Sequence, residues 1–482
     1  MTRRIAVSAV LLSAAFSVQA DTYDASAVLK RADAAMGAST LKTLRYAGTG
    51  SAWQFGQGYQ AGKPWPKLNL GSYARLLDYD KGAWREDVVR SRAEPTGGGA
   101  VPLAGDQKLS MAVSGAHAWN LIGPAPAAAP VQVPNRVHDL WITPHGVIKA
   151  AQKNNARLEF RMQGGKEVAA VSFTESGKYA ATAFINGDGH VERVESRMPS
   201  PVLGDTLVVT TYENYRVHGG ILFPGRIRQS AGGHPVLDLT VNEVQPNSAV
   251  DLPVPPNVQS FAEKVTSEKA ADGVWYMAGA SHHSVAIEMK DHIIVVESPL
   301  YDGRAAPMLA EVKKLMPGKP IRYVINSHWH FDHAGGLRTA VAEGATIVAH
   351  QDAKSYFEKA FANPSRVSPD LLAKSGRKAK VIGAKDRMVM SDGARSVEIH
   401  YIRNSIHAVP FLMVWLPKER LLIEADAYTP LAPNAAPPSP PNANNVNLVE
   451  NIERLKLPVD RILPLHGRIV PLAELYRTVG KK

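Results

Sequence analysis

The chain has 482 residues, of which 45% are hydrophobic and 21% are charged, and it contains no cysteine. A near-average apolar content over this length excludes a disordered or low-complexity protein and suffices for two or three domains. The lack of cysteine excludes disulfide scaffolds, thiol nucleophiles and thiolate metal sites, and the net charge of +11, spread along the chain, does not indicate a nucleic-acid partner.

Residues 1–20 have the pattern of a secretory signal peptide. Two arginines precede an apolar run from Ile5 to Phe16, and small residues flank position 19, which is typical of a cleavage site after Ala20. The apolar run is shorter than the roughly 20 residues that a transmembrane helix needs. We therefore expect cleavage, no transmembrane segment and a periplasmic or secreted mature protein.

Residues 21–250 are predicted to form a mainly antiparallel β domain behind one short helix, which spans about 23–37. Segments 207–217, 221–230 and 236–244 mix β-branched and polar residues and are separated by glycine pairs, as in antiparallel hairpins. The region contains no cluster of titratable residues, so it is predicted to have no catalytic role.

This first region weakly resembles the curved sheet of bacterial lipoprotein-carrier proteins, and the resemblance implies an apolar ligand for it. Its tryptophans could line an apolar cleft, although aromatic residues on strands more often fill a core. They are Trp53, Trp65, Trp84, Trp119 and Trp141.

A proline-containing stretch, residues 251–261, is predicted to link this region to a second domain at 262–482. In that domain strand-like and helix-like segments alternate, which indicates a mixed α/β fold. The predicted strands are 274–279, 284–289, 292–298, 321–326, 346–350, 397–402, 411–417 and 420–426, and the predicted helices are 307–316, 337–344 and 352–361.

The segment NSHWHFDHAGG, residues 326–336, directly follows a predicted strand and concentrates metal-binding side chains. His328, His330, Asp332 and His333 lie within six residues. Burying imidazole without partners is costly, so a cluster of imidazoles at the end of a strand indicates a bound cation. Because the chain has no cysteine, His and carboxylate groups must hold any transition metal.

This segment resembles the HxHxDH motif of the metallo-β-lactamase superfamily, and the resemblance extends over roughly residues 262–475. It implies an αββα sandwich in the C-terminal half. His407, Asp426 and His466 stand, in order, where the superfamily has its later metal ligands. Leu465 replaces a glycine that many relatives have before the last histidine, so the ligands are carried over without the substrate contacts.

The resemblance implies two metal ions, with zinc as the expected metal, and the His and Asp donors agree with this assignment. It assigns His328, His330 and His407 to one ion, Asp332, His333 and His466 to the other, and Asp426 to a bridging or bordering position. A metal-activated hydroxide would attack the carbonyl of a small-molecule substrate, a cyclic amide, lactone or ester. Asp332, the predicted catalytic residue, would orient the water or relay its proton.

Several neighbouring residues leave two interpretations open. One of His282 and His283 could line the metal pocket, or both could be ordinary strand positions. Tyr428 could donate a hydrogen bond into the site or pack as a strand-end aromatic, whereas Glu424 is predicted to face the opposite side. The proline-rich and asparagine-rich loop 429–447 could form a substrate rim or a surface excursion.

Two other classes of function compete with a zinc hydrolase. One is a noncatalytic ligand-binding protein whose second domain is a metal-stabilised scaffold, and the loss of predicted ligands would favour it. The other is a nuclease or a redox enzyme of the same superfamily. A nuclease would need a basic channel and a redox enzyme a fused flavin or thiol domain, and the sequence indicates neither.

Overall fold

The computed structural model describes residues 24–94, 98–99, 105–279 and 281–481. The predicted signal peptide lies outside the described residues. Among the residues that are described, no helix is both long enough and apolar enough to cross a membrane.

The chain begins with the predicted short helix, α1 (Ala25–Met36). The Asp24 carboxylate caps it by accepting a hydrogen bond of 2.8 Å from the Ala27 N–H. The helix ends at Gly37, whose φ of 73° is in the left-handed region that glycine adopts without strain. Its apolar side chains at every third or fourth position are buried, as the spacing predicts.

A large antiparallel sheet follows, with two more helices between its strands. Its order is β6-β5-β4-β3-β2-β1-β15-β14-β11-β10-β9-β8-β7, and β12 pairs separately with β13. The strands are β1 (Thr43–Trp53), β2 (Lys67–Asp78), β3 (Ala83–Arg92), β4 (Gln107–Ser114), β5 (His117–Leu121), β6 (Ala127–Ala128), β7 (Arg157–Gln163), β8 (Lys166–Glu175), β9 (Tyr179–Ile185), β10 (Val191–Ser200), β11 (Gly204–Glu213), β12 (Arg216–His218), β13 (Ile221–Phe223), β14 (Arg226–Ala231) and β15 (His234–Pro246). The prediction of a mainly antiparallel first half is confirmed.

Helices α2 (Val133–Trp141) and α3 (Pro144–Lys153) join α1 in covering this sheet. One apolar core contains side chains from all three helices and from most strands, for example Leu29, Leu140, Ile148, Val171 and Leu239. The first half therefore has a hydrophobic core of its own.

The predicted linker contains a short helix, α4 (Pro256–Gln259). Val258 on this helix is buried and packs in a small cluster with Ala112 and Trp119 of the first half. This part of the chain is therefore attached to the large sheet through an apolar contact.

The second half alternates strands and helices as predicted. Its strands are β16 (Thr266–Ala271), β17 (Val274–Ala278), β18 (Ser284–Glu288), β19 (Ile293–Val296), β20 (Ile321–Ile325), β21 (Thr346–His350), β22 (Val381–Ala384), β23 (Arg387–Ser391), β24 (Ser396–Tyr401), β25 (Leu412–Leu416), β26 (Leu421–Glu424), β27 (Arg461–Pro464) and β28 (Val470–Pro471). Its helices are α5 (Asp302–Leu315), α6 (Phe331–Ala334), α7 (Leu337–Ala342), α8 (Gln351–Ala362), α9 (Leu371–Ser375), α10 (Ala443–Leu455) and α11 (Leu472–Thr478).

These elements form two sheets packed face to face between layers of helices. One sheet runs from β16 to β22 in sequence order and the other from β23 to β28. Side chains such as Ile287 and Val296 of the first sheet and Ile399 and Val414 of the second share one core. Helices α5, α7 and α8 pack on the other face of the first sheet, and α10 and α11 pack against the second. The αββα sandwich predicted for the C-terminal half is confirmed.

Candidate metal centre

The predicted ligands stand in connections at one edge of the two sheets. His328 and His330 follow β20, a strand that pairs in parallel with β19 and β21, and the four-residue helix α6 then carries Asp332 and His333. The later ligands come from connections of the second sheet, where Asp426 follows β26, His466 follows β27, and His407 lies between β24 and β25. Parallel strands end at the same edge, which is where α/β folds place their functional groups.

One cluster consists of His328, His330, His407 and Asp426, whose candidate ligand atoms all lie within 4.8 Å of one another. The Nε2 atoms of His328 and His407 are 3.2 Å apart. The Oδ2 atom of Asp426 lies 3.2 Å from the first of these nitrogens and 3.3 Å from the second. Neighbouring ligand atoms of a tetrahedral zinc ion are about 3.3 Å apart, given zinc–nitrogen bonds of about 2.0–2.1 Å.

A second cluster consists of Asp332, His333, His466 and also His282. The Nε2 atoms of His333 and His466 are 3.1 Å apart, and the same distance separates the Nε2 atom of His282 from Asp332 Oδ2. The structure thus places His282 beside the predicted ligands. His283 is in neither cluster, and its Nδ1 atom accepts a hydrogen bond from the Gly279 N–H.

Asp426 lies between the two clusters. Its Oδ2 atom is 2.7 Å from His333 Nε2, and its Oδ1 atom is 3.2 Å from His466 Nε2. The same carboxylate therefore contacts imidazoles of both clusters, as a bridging position requires.

The residues of this centre fit a metal ion. The Nε2–H of His330 donates to the Gly58 carbonyl at 2.9 Å, and its buried Nδ1 atom has no hydrogen-bond partner among the described residues. His466 likewise donates from Nδ1 to the Ser281 carbonyl at 2.9 Å, so its Nε2 atom faces the second cluster as a lone-pair donor. Hydrogen bonds of this kind fix the tautomer of metal-binding histidines.

Burial and mutual charge set the protonation of the centre. Burial, assisted by neighbouring imidazoles, lowers the pKa of His328 well below its ordinary value and lowers that of His330 to about 3. The pKa of Asp426 is well below its usual range although burial raises it, because the surrounding histidines favour the carboxylate. Burial lowers the pKa of His333, but Asp426 and Asp332 raise it well above the ordinary value. The two partly buried carboxylates thus attract positive charge, which a cation would also supply.

Glu297 was not among the predicted site residues, but its carboxylate contacts residues of the centre. It is fully buried at the end of β19 and accepts a hydrogen bond of 2.6 Å from the Ser327 N–H. Its Oε2 atom lies 3.6 Å from Nδ1 of His333, and its φ of 67° is unusual for a residue other than glycine. In the sequence, Glu297 could have been recognised as a carboxylate that directly follows an otherwise apolar strand.

The first half of the chain reaches the centre through the connection between β1 and β2. The Gln57 side-chain amide donates a hydrogen bond of 2.7 Å to Asp332 Oδ1, and the Phe331 N–H donates to the Gly56 carbonyl at 3.1 Å. A Cβ atom at Gly58 would lie 2.6 Å from the Trp329 ring, so this close approach requires glycine. No motif in the sequence indicated these contacts.

The remaining candidates lie outside both clusters. Tyr428 is buried in the core between the sheets, which fits the interpretation of a packed aromatic. Glu424 accepts a hydrogen bond of 2.9 Å from the Tyr428 N–H. The predicted loop 429–447 ends at residue 442 instead, because the Asn442 side chain caps α10 by accepting a hydrogen bond from the Asn444 N–H, and residues 429–442 are mostly exposed.

Comparisons with known proteins agree with the fold. Residues 280–466 match the family described as the metallo-beta-lactamase superfamily, which confirms the predicted resemblance over that part of the chain. No curated protein matches the chain.

Several solved structures are similar to part of the chain. A metallo-beta-lactamase from Pontibacter korlensis is 16% identical with a TM-score of 0.35, and 45% of this chain covers 98% of that one. The DIM-1 metallo-beta-lactamase is 17% identical with a TM-score of 0.34, and 45% of this chain covers 96% of that one. TMB-1 is 14% identical with a TM-score of 0.34, and 45% of this chain covers 95% of that one.

Proposed function

Because residues 280–466 belong to the metallo-β-lactamase superfamily, we propose that this protein is a zinc-dependent hydrolase with two metal ions. Membership supports a metal-dependent hydrolase in general. The proposal of a dinuclear centre rests on one observation, the convergence of the predicted ligand atoms into two adjacent clusters with Asp426 between them.

The donor set favours zinc. Imidazole nitrogen with carboxylate oxygen is a common ligand set for catalytic zinc, and cysteine is absent from the chain. In this proposal His328, His330 and His407 would hold one ion, Asp332, His333 and His466 would hold the other, and Asp426 would be available to either. His282 is a further donor for the second ion.

The proposed reaction is hydrolysis of a cyclic amide, lactone or ester. When bound, two zinc ions supply a water of lowered pKa and polarise a carbonyl oxygen. Asp332 is the residue that we assign to orienting the attacking water and relaying its proton. Its carboxylate lies on the wall of a cavity and is held from both sides, by Gln57 at Oδ1 and by His282 at Oδ2.

We also propose that the protein acts outside the cytoplasm, in the periplasm or the medium. The support is the signal-peptide pattern of residues 1–20, with cleavage after Ala20. The lack of cysteine is compatible with an oxidising compartment.

A noncatalytic ligand-binding protein is the second candidate, and a cavity of about 290 Å³ within the first half favours it. Trp53 and Trp84 line this cavity, as an apolar ligand would require. Arg75 and Glu86 also line it, and burial raises the pKa of Glu86. Arg90 and Asp139 are lining residues as well, so the cavity combines apolar walls with two basic and two acidic side chains.

Metal content and turnover together test the hydrolase proposal. We expect about two zinc ions per purified mature chain by elemental mass spectrometry, and turnover of at least one substrate in a panel of esters, lactones and β-lactams. His330→Ala should lose metal and abolish turnover, whereas His117→Ala, in the first half, should change neither. One ion or fewer per chain with no turnover would favour the ligand-binding protein instead.

A further inference from the structure

A cleft lies between the two halves of the chain and ends at the metal centre. Its volume is about 900 Å³, which is in the range of cavities that enclose small organic molecules. The first half contributes the connection after β1 and the segment from β5 to α2, and the second half contributes the chain before β16 and the connections after β17 and β19. Asp332 and Ser281, the neighbour of His282, line its inner end.

Exposed apolar side chains are concentrated in this cleft. Large hydrophobic side chains on the described surface are few, and four of them line it. They are Phe55, Ile122, Val131 and Phe261, with exposed fractions of 37%, 56%, 37% and 38%. Solvent-exposed apolar side chains that are concentrated in one concave surface indicate a binding site for an apolar ligand.

The described lining of the cleft has no cationic side chain that would bind an anionic substrate. Among its described lining residues the charged side chains are Glu263 and Asp332, and none is Lys or Arg. Glu263 accepts a hydrogen bond from the Tyr301 hydroxyl, which also lines the cleft. A carboxylate or phosphate on the part of the substrate that lies in the cleft would meet Glu263 and no cationic side chain among the described lining residues.

We propose that the cleft binds the uncharged apolar group of the substrate, an alkyl or acyl chain, and presents the attached carbonyl to the end occupied by Asp332. This inference rests on the proposed hydrolase function and narrows its substrate class to neutral apolar esters, lactones or amides. In an ester, the water oxygen bonds to the carbonyl carbon and the bond to the alcohol oxygen breaks. One water proton passes to the departing alcohol, and the acid formed releases the other to solvent.

Two series of probes test the proposal on the zinc-loaded, full-length mature protein. The first contains p-nitrophenyl acetate, butanoate and hexanoate, for which kcat/KM is measured. The second contains the ethyl, butyl and hexyl ethers of p-nitrophenol, which cannot be hydrolysed in this way and whose Kd is measured by calorimetry. We expect the affinity for the ethers and kcat/KM for the esters to rise about two- to fourfold for each added methylene group.

Two matched variants test whether the dependence on chain length comes from the cleft. Ile122→Asp places a charge on the cleft wall at an exposed position and should remove the dependence on chain length in both series. Val217→Asp makes the same kind of change at a side chain that is 74% exposed and lies outside the cleft, and it should retain the dependence.

The outcomes separate this proposal from the hydrolase proposal. If the affinity for the ethers rises with chain length in the wild type but not in Ile122→Asp, the cleft binds the apolar group as proposed. This result holds even if no ester is cleaved, and in that case only the hydrolase proposal fails. If the esters are cleaved at rates that do not depend on chain length and the ethers bind equally at every length, the protein is a hydrolase but the proposed role of the cleft is wrong. An unchanged dependence in Ile122→Asp also overturns it.

Discussion

At the scale of single residues, Asp332 is held by side chains from both halves of the chain. Gln57 donates to Oδ1 at 2.7 Å, and His282 Nε2 lies 3.1 Å from Oδ2. The Asp332 side chain is 25% exposed, and its pKa is well below the ordinary value although partial burial raises it, because His333 and His282 favour the charged form. Two contacts thus fix the orientation of a group that we assign to both metal binding and proton transfer.

We predict that Gln57→Leu weakens zinc binding. Leucine is similar in size but cannot donate to Asp332, and the loss of a hydrogen bond to a metal ligand typically lowers metal affinity by about 10- to 100-fold. Competition with a chromogenic chelator measures this change. Gln60→Leu, at an exposed position of the same segment, is the control and should bind zinc as wild type does. Equal affinities in the two variants would show that Gln57 does not position the ligand.

The adjacent residues His282 and His283 provide a second test. We predict that His282→Asn lowers the zinc content from about two ions per chain to about one, because an imidazole is removed from the second cluster. His283→Asn should keep both ions, since His283 bonds to the Gly279 backbone instead. Elemental mass spectrometry of both variants measures the content, and a loss confined to His283→Asn would contradict the assignment.

At the scale of elements, a buried histidine of α3 contacts the end of α1. His145 Nε2 donates to the carbonyl of Met36, in the last turn of α1, at 3.1 Å. The imidazole is fully buried and stacks on Phe223 with an interplanar angle of 7°. Burial is the main cause that lowers its pKa to about 4, with Lys149 also lowering it and the Met36 bond and Asp33 opposing the shift.

This packing predicts that the first half loses stability in mild acid. Below the ordinary pKa of 6.5 the unfolded chain binds a proton at His145, whereas the folded chain does so only near pH 4. Stability attributable to this residue is therefore present above pH 6.5 and falls as the pH drops toward 4, by about 2 kcal/mol between pH 7 and pH 5.

His145→Gln tests this expectation because glutamine retains a donor and does not titrate. The variant should be less stable than wild type at pH 7 but should lose about 2 kcal/mol less on acidification to pH 5. Urea unfolding monitored by circular dichroism, with chelator present to remove the effect of metals, gives both values. An identical loss in the two proteins would mean that His145 is protonated equally in the folded and unfolded chains.

At the scale of the whole molecule, the connection between β1 and β2 joins the large sheet to the metal centre. Its Gly58 carbonyl accepts from His330, and the Val409 N–H donates to the Tyr59 carbonyl at 2.8 Å. Trp65 stacks on Trp329 with ring centroids 6.3 Å apart. The two halves therefore share polar and apolar contacts around the same ligands, and a ligand of one half is coupled to the backbone of the other.

We predict that zinc stabilises both halves at this junction. A ligand that binds the folded state raises the free energy of unfolding, and it protects those segments whose opening releases the ligand. Hydrogen exchange with mass spectrometry should show slower exchange on zinc addition in residues 54–60 as well as in 326–334. The edge strand β7 serves as the internal control and should be unaffected. Protection confined to 326–334 would show that the halves are independent.

The sequence permitted a good prediction of the second half and a partial one of the centre. The alternation of strand and helix patterns predicted a mixed α/β fold, and the resemblance of the HWHFDH segment to a known motif implied the αββα layers and the ligands. Gln57 was missed because glutamine in a loop is common and its partner lies 275 positions away. His282 was left open between two interpretations because the orientation of adjacent histidines depends on how β17 and β18 pair.

The sequence by itself determined what is local: the secretory pattern of residues 1–20, the periodicity of the strands, and the density of imidazole and carboxylate groups after β20. Only the tertiary structure decided which imidazole of the pair at 282 and 283 joins the second cluster, that Glu297 lies beneath His333, and that a loop of the first half closes on the centre. Local patterns reflect backbone geometry and solvation over a few residues. Contacts between distant segments depend instead on how whole sheets pack, which no short stretch of sequence encodes.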